Sequence, residues 1–167
     1  MSTYLKAVAS MLLLGVVAGL LWLWLANPAA FKVTDQGAIL DEEASKGRFG
    51  VIVTFVGISI VIAFLWGFFA GRVLHDRGWI MVPAFAVVAT AAGLIAWKVG
   101  AILGPPDPAS VKHAKLGDSI PQQLTIDAVA PFLVWPVFAL VGLFLAVYLA
   151  SNRSHNSSRH RDEVVGS

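Results

Sequence analysis

Long apolar runs with almost no charge, separated by polar segments, dominate the sequence. Four such runs cover residues 5–26, 49–71, 79–103 and 126–150. A helix needs ~20 apolar residues to cross the hydrocarbon layer, and only a helix satisfies its own backbone hydrogen bonds there. The pattern therefore predicts an all-α integral membrane protein, with four transmembrane helices in one domain over residues 1–150.

Composition agrees with the lipid bilayer as the solvent of this chain. Hydrophobic residues make up 57% and charged residues 13% of the 167 positions, which is more apolar than a soluble core of this size requires. The net charge is only +2, and the basic residues are spread along the chain, so nucleic acid is not expected as a partner. The chain has no cysteine, which excludes disulfides, thiolate nucleophiles and C-x-x-C redox chemistry.

The first apolar run has an alternative interpretation as a secretory signal peptide, because Lys6 precedes it and Ala29 and Ala30 follow it. Its apolar core is longer than the ~7–15 residues usual in signal peptides. Trp22 and Trp24 at its far end are typical of interfacial anchors. A membrane span is therefore the favoured interpretation.

The orientation follows from the lysines and arginines outside the spans, because positively charged loops resist translocation. Six lie on the side of the termini and five on the other, close to a tie. The five on the other side are mixed with acidic residues, which favours cytoplasmic N- and C-termini in a bacterial plasma membrane. The six on the side of the termini are Lys6, Arg72, Arg77, Arg153, Arg159 and Arg161. The five on the other side are Lys32, Lys46, Arg48, Lys112 and Lys115.

Two extracytoplasmic loops, residues 27–48 and 104–125, are then predicted, with a short cytoplasmic turn between the second and third spans. In the first loop, β-prone residues flank an Asp35-Gln36-Gly37 turn signal, which predicts a small hairpin. Two short strands alone are marginal in water and need further support. The tail, residues 151–167, is polar and is predicted to be a disordered cytoplasmic segment.

Lys98 is the only charge well inside a span, and an intramembrane charge is by default a functional hypothesis. It lies five residues, or ~7.5 Å, from the end of the third run, so its amine can reach the interface. We expect snorkelling or an ion pair with Asp127, with an anionic lipid contact or an ion site as the alternatives. Asp127 could instead favour the start of the fourth helix.

Proline and glycine positions predict how the helices bend and pack. Pro131 and Pro136 lack backbone donors and predict a kink in the fourth span. Glycine pairs four residues apart let helix backbones approach closely. The pairs are Gly15/Gly19, Gly67/Gly71 and Gly100/Gly104.

Polar residues in the spans give no catalytic or metal-binding pattern. Thr54, Ser59 and Thr90 can each donate a hydrogen bond to their own helix backbone. The four histidines lack metal-ligand spacing, and no carboxylate pair or Ser/His/Asp constellation lies within the spans. We expect no metal, no cofactor and no enzymatic activity.

The chain carries a set of helix-end and loop signatures: LWLWLANP at 21–28, VTDQG at 33–37, DEE at 41–43, GR at 71–72, RG at 77–78, VGAILG at 99–104 and LVWP at 133–136. Together these signatures resemble the DUF2567 family of actinobacterial membrane proteins. The resemblance covers about residues 5–150, and that family has no known function, so it implies a four-span actinobacterial protein and no active-site residue. The basic tail lies outside the resemblance.

Two functions from different classes fit these observations. The favoured hypothesis is a non-catalytic accessory or scaffolding subunit that binds other membrane-protein subunits of an envelope or respiratory complex. The alternative is a small homo-oligomeric transporter or channel with Lys98, Asp127 and the Pro131–Pro136 bend as its polar site. A lipid-modifying enzyme has only the acidic cluster at residues 41–43 in its favour.

Overall fold

The structure is a computed structural model, and its described residues form four long helices and three short strands. It describes residues 3–26, 30–34, 37–38, 42–74, 80–105, 119–121, 124, 126 and 128–165, and the side chains of 3–26, 47, 49–74, 80–105, 124, 126 and 128–152. The helices are α1 (Thr3–Leu25), α2 (Glu42–Leu74), α3 (Met81–Leu103) and α4 (Ala130–Val165). The strands are β1 (Ala30–Thr34), β2 (Gly37–Ala38) and β3 (Ser119–Pro121).

All four helices contain a segment long and apolar enough to cross a membrane. These segments are Thr3–Leu25, Phe49–Leu74, Met81–Leu103 and Ala130–Asn152. Large apolar side chains such as Leu13, Val87 and Phe144 are 66–72% exposed on the outside of the bundle, a distribution that water would oppose and lipid favours. The prediction of an integral membrane protein with four transmembrane helices is confirmed.

The helix ends differ from the predicted spans at both helices that follow a long loop. α2 begins at Glu42, seven residues before the predicted span, and glutamates at 42 and 43 favour the positive end of a helix. α4 begins at Ala130, four residues after the predicted start. Pro131 is then its second residue, where a fixed φ and a missing donor suit the first helical turn.

The tail also differs from expectation, because α4 continues to Val165. The backbone of residues 151–165 is helical, whereas the polar composition predicted no order. No glycine or proline interrupts this segment, and each residue added to an existing helix gains one backbone hydrogen bond without a new nucleation step.

The tightest helix pairs are not neighbours in sequence: α1 packs mainly on α3, and α2 packs mainly on α4. Each pair is parallel, because Gly15 faces Ala92 and Gly19 faces Ala96, while Gly67 faces Ala139 and Gly71 faces Leu143. α3 also contacts α4, and α1 contacts α2. The order around the bundle is therefore α1, α3, α4, α2, with the sequence neighbours α2 and α3 on a diagonal.

A three-stranded sheet joins the two long loops. β1 pairs antiparallel with β2, with Val33 opposite Ala38, which is the predicted hairpin. β1 also pairs antiparallel with β3 from the second loop, with Phe31 opposite Ile120. The third strand supplies the support that a two-stranded hairpin lacks. We call the end of the bundle where α1 and α3 end the sheet end, and the opposite end the terminal end.

Candidate functional site

The first candidate feature is a set of glycine contacts at which the parallel helices pack against each other. A Cβ on Gly15 would lie 2.6 Å from the Ala92 carbonyl oxygen, and one on Gly19 would lie 2.6 Å from the Ala96 oxygen. On α2, a Cβ on Gly67 would collide with the Ala139 backbone. These positions are in direct backbone contact, which maximises van der Waals packing between helices in lipid.

The remaining glycines of the predicted pairs have different neighbours. A Cβ on Gly71 would lie 3.0 Å from Leu143 Cδ1 on α4, whereas Gly100 lies against the ring of Trp22. Gly104 faces the Gly100 oxygen and the Leu124 side chain. Gly142, which was not among the predicted pairs, packs on the α2 backbone at Phe64 and Phe68. Ala146 lies four residues after Gly142, a small-residue spacing that could have identified it.

The polar side chains inside the spans bond mostly within their own helices. Ser59 Oγ donates to the Phe55 oxygen at 2.7 Å, Thr54 Oγ1 donates to the Gly50 oxygen, and Thr90 Oγ1 donates to the Ala86 oxygen. This confirms the predicted bonding four residues back. Within the described part of the chain, Ser59 is the one polar or charged residue that is buried. That interior therefore offers packing surface rather than a polar path.

Aromatic rings from all four helices form a layer near the sheet end. The Trp22 and Phe55 centroids are 5.1 Å apart, Phe55 and Phe132 are 5.9 Å apart, and Phe132 and Trp97 are 5.8 Å apart, all edge to face. The fully buried Trp22 also donates its indole N–H to the Val51 oxygen at 2.9 Å. We call Trp22, Phe55, Trp97 and Phe132 the aromatic layer. Its ring contacts connect all four helices at the end of the bundle next to the sheet.

Two indole N–H groups inside the described bundle lack a protein acceptor. They belong to Trp97 and to the fully buried Trp135. Trp135 lies against Gly93, where a Cβ would be 2.6 Å from its ring. An unpaired buried donor lowers the free energy of unfolding. The Trp135 ring fills the space that the absent side chain of Gly93 leaves open.

Lys98 lies on the exposed side of α3, not in the bundle interior. Its Nζ is 5.0 Å from the centroid of the Trp97 ring, in cation–π range. Asp127 lies outside the described residues, so an ion pair between the two stays a prediction. α4 begins three residues after Asp127.

The two prolines occupy different parts of α4. Pro131 is in the first turn, where Phe132 N donates to the Val129 oxygen. Pro136 is inside the helix, where it cannot donate to residue 132. Only Pro136 therefore removes an internal hydrogen bond, and the kink itself stays a prediction.

A groove of about 390 Å³ opens between α1 and α2 at the terminal end. Nothing in the sequence pattern indicated it, because the groove depends on how far α1 and α2 separate. Trp66 Nε1 donates to Ser10 Oγ at 3.1 Å across these two helices. The groove is lined by Thr3, Lys6, Ala7, Ser10, Trp66, Phe69, Ala70, Val73 and Leu74.

Comparison with protein-family models, curated proteins and solved structures finds no match. The resemblance to the DUF2567 family therefore stays a prediction. The chain is a multi-pass membrane protein with four transmembrane helices, and this conclusion rests on its own sequence and structure.

Proposed function

We propose that this protein is a non-catalytic accessory or scaffolding subunit of a larger envelope or respiratory complex in a bacterial plasma membrane. In this proposal both termini lie in the cytoplasm, and the sheet end faces outward. Its partners are the lipid bilayer and other membrane-protein subunits.

The observation that carries the proposal is the joining of both long loops in one sheet above a closely packed bundle. β1 of the first loop pairs with β3 of the second, and the order β2-β1-β3 leaves one edge of β2 and one edge of β3 unpaired within this described sheet. An unpaired strand edge can accept a strand from another chain. A sheet with unpaired edges at one end, above a packed bundle interior, suits a subunit that acts by binding other proteins.

The described bundle interior supports packing more than conduction. Ser59 bonds its own helix, Lys98 is on the exposed side, and glycines bring the parallel helix pairs into backbone contact. Transport paths are lined by polar or charged groups inside the bundle. The transporter alternative would require Lys98 and Asp127 to form a functional pair.

Affinity purification of the tagged full-length protein from its native membranes, in several mild detergents, followed by quantitative mass spectrometry, tests the proposal. We expect the same membrane-protein partners at constant stoichiometry in each detergent. Recovery of the protein alone from every detergent would contradict the proposal. Loss of a solute flux on both single substitutions Lys98→Ala and Asp127→Ala, with normal membrane insertion, would support the transporter instead.

A further inference from the structure

We infer that the groove between α1 and α2 at the terminal end is a binding site for one anionic glycerophospholipid, with its phosphate at Lys6 and one acyl chain against Trp66. This inference is independent of the proposed function. It follows from the polarity, the length and the charge of the groove.

Polar groups are distributed along the groove as they are along a phospholipid. Thr3 and Lys6 lie at the start of α1, at the mouth, and Lys6 is exposed. Deeper in the groove, Ser10 Oγ donates to the Ala7 oxygen at 2.8 Å and accepts the Trp66 indole N–H. Its hydroxyl is therefore used within the protein, and the deep part of the groove presents mainly apolar surface.

The groove runs along the helices over most of one leaflet. Its lining on α2 extends from Trp66 to Leu74, which is ~12 Å at 1.5 Å per residue. Half of a ~30 Å hydrocarbon layer is ~15 Å. The volume of about 390 Å³ lies in the ~300–1,000 Å³ range of ligand pockets. An acyl chain therefore fits the direction and depth of the groove.

The positive charge of Lys6 favours an anionic lipid headgroup in the groove. Among the described residues that line the groove, Lys6 is the one charged residue, and none is a carboxylate. A zwitterionic headgroup would place its own cation near Lys6, whereas an anionic headgroup such as that of phosphatidylglycerol would not. One lysine near a membrane surface favours an anionic lipid by about fivefold.

The test is native mass spectrometry of the full-length protein equilibrated with equimolar phosphatidylglycerol and phosphatidylcholine of identical acyl chains. The wild type should retain one phosphatidylglycerol with about a fivefold preference. Lys6→Gln should remove the preference, while Lys98→Gln, a change of the exposed lysine near the sheet end, should keep it. Equal retention of both lipids by the wild type would overturn the inference. An equal loss of the preference for phosphatidylglycerol in the two lysine variants would also overturn it.

A second pair of variants tests the groove itself. Ala70→Leu fills the groove and should lower retention of both lipids, whereas Ala84→Leu, on an exposed face of α3, should leave it unchanged. On the unmodified protein, phosphatidylglycerol with brominated chains should quench tryptophan fluorescence more than phosphatidylcholine with the same chains. Equal quenching by the two lipids, or an Ala70→Leu variant that retains lipid as the wild type does, would overturn the inference.

Discussion

Gly67 marks the closest approach of two helices, whereas Gly57 on the same helix has open space around it. A Cβ at Gly67 would collide with the Ala139 backbone, and one at Gly57 would meet nothing within 4 Å. Because the obstacle at Gly67 is backbone, a new side chain there can be accommodated only by separating α2 from α4. The two glycines therefore form a matched pair for testing the bundle.

We predict that Gly67→Val lowers the free energy of unfolding by about 1–3 kcal/mol, the usual cost of overpacking. Gly57→Val should change it by less than about 0.5 kcal/mol, as expected for an exposed position. Reversible unfolding in lipid bicelles measures both. A Gly67→Val protein as stable as Gly57→Val would show that α2 and α4 are not in backbone contact.

Single residues differ in how much of their role the sequence reveals. The hydroxyl bonds of Thr54, Ser59 and Thr90 were predictable because their acceptors lie four residues away on the same helix. The bond from Trp22 to the Val51 oxygen was not predictable, because its partners are 29 positions apart and meet only after the helices assemble.

At the scale of elements, the helices were predictable but their pairing was not. Apolar runs define membrane spans because the bilayer sets their length. The choice of α3 as the main neighbour of α1, and of α4 as that of α2, depends on which small residues meet across helices. The end of α4 was also missed, because polar composition alone does not stop a helix that has already formed.

The observed pairing predicts that the bundle survives a cut between α2 and α3. Both main contacts, α1 with α3 and α2 with α4, join the first half of the chain to the second. A protease site inserted between Leu74 and Ile80 should therefore be cleavable in the purified protein without separation of the halves. Size-exclusion chromatography in detergent checks this, and elution of separate halves would contradict the pairing.

A control variant makes the same experiment specific to the glycine contacts. The cleaved protein that carries both Gly15→Val and Gly67→Val should separate more readily than the cleaved wild type. Gly57→Val should have no such effect, because its position faces open space.

At the scale of the whole molecule, the sheet links loops that are more than 80 residues apart in the chain. The hairpin β1–β2 was predictable from the turn signal at residues 35–37, since its two strands are local. The pairing of β1 with β3 was not, because Ser119–Pro121 carries no strand pattern of its own and gains its partner only through the bundle. The pairing of β1 with β3 is therefore the part of the fold that the sequence predicts least.

The register of the sheet can be tested directly because the chain has no native cysteine. Phe31→Cys with Ile120→Cys places two thiols on paired positions, within the Cα separation that a disulfide needs. We predict rapid cross-linking in native membranes, seen as a mobility shift on a non-reducing gel. Thr34→Cys with Ile120→Cys is displaced by three residues, or ~10 Å, and should cross-link poorly. Equal cross-linking of both pairs would contradict the register.

Photo-cross-linking in living cells tests our proposal that the sheet end contacts another membrane-protein subunit. A photoreactive amino acid is placed at Ala38 on β2 or at Ser119 on β3, and, as the control, at Val87, which is 69% exposed on α3. We predict a discrete protein adduct from at least one sheet position and none from Val87. Full-length, membrane-inserted protein that yields no protein adduct from either sheet position would contradict it.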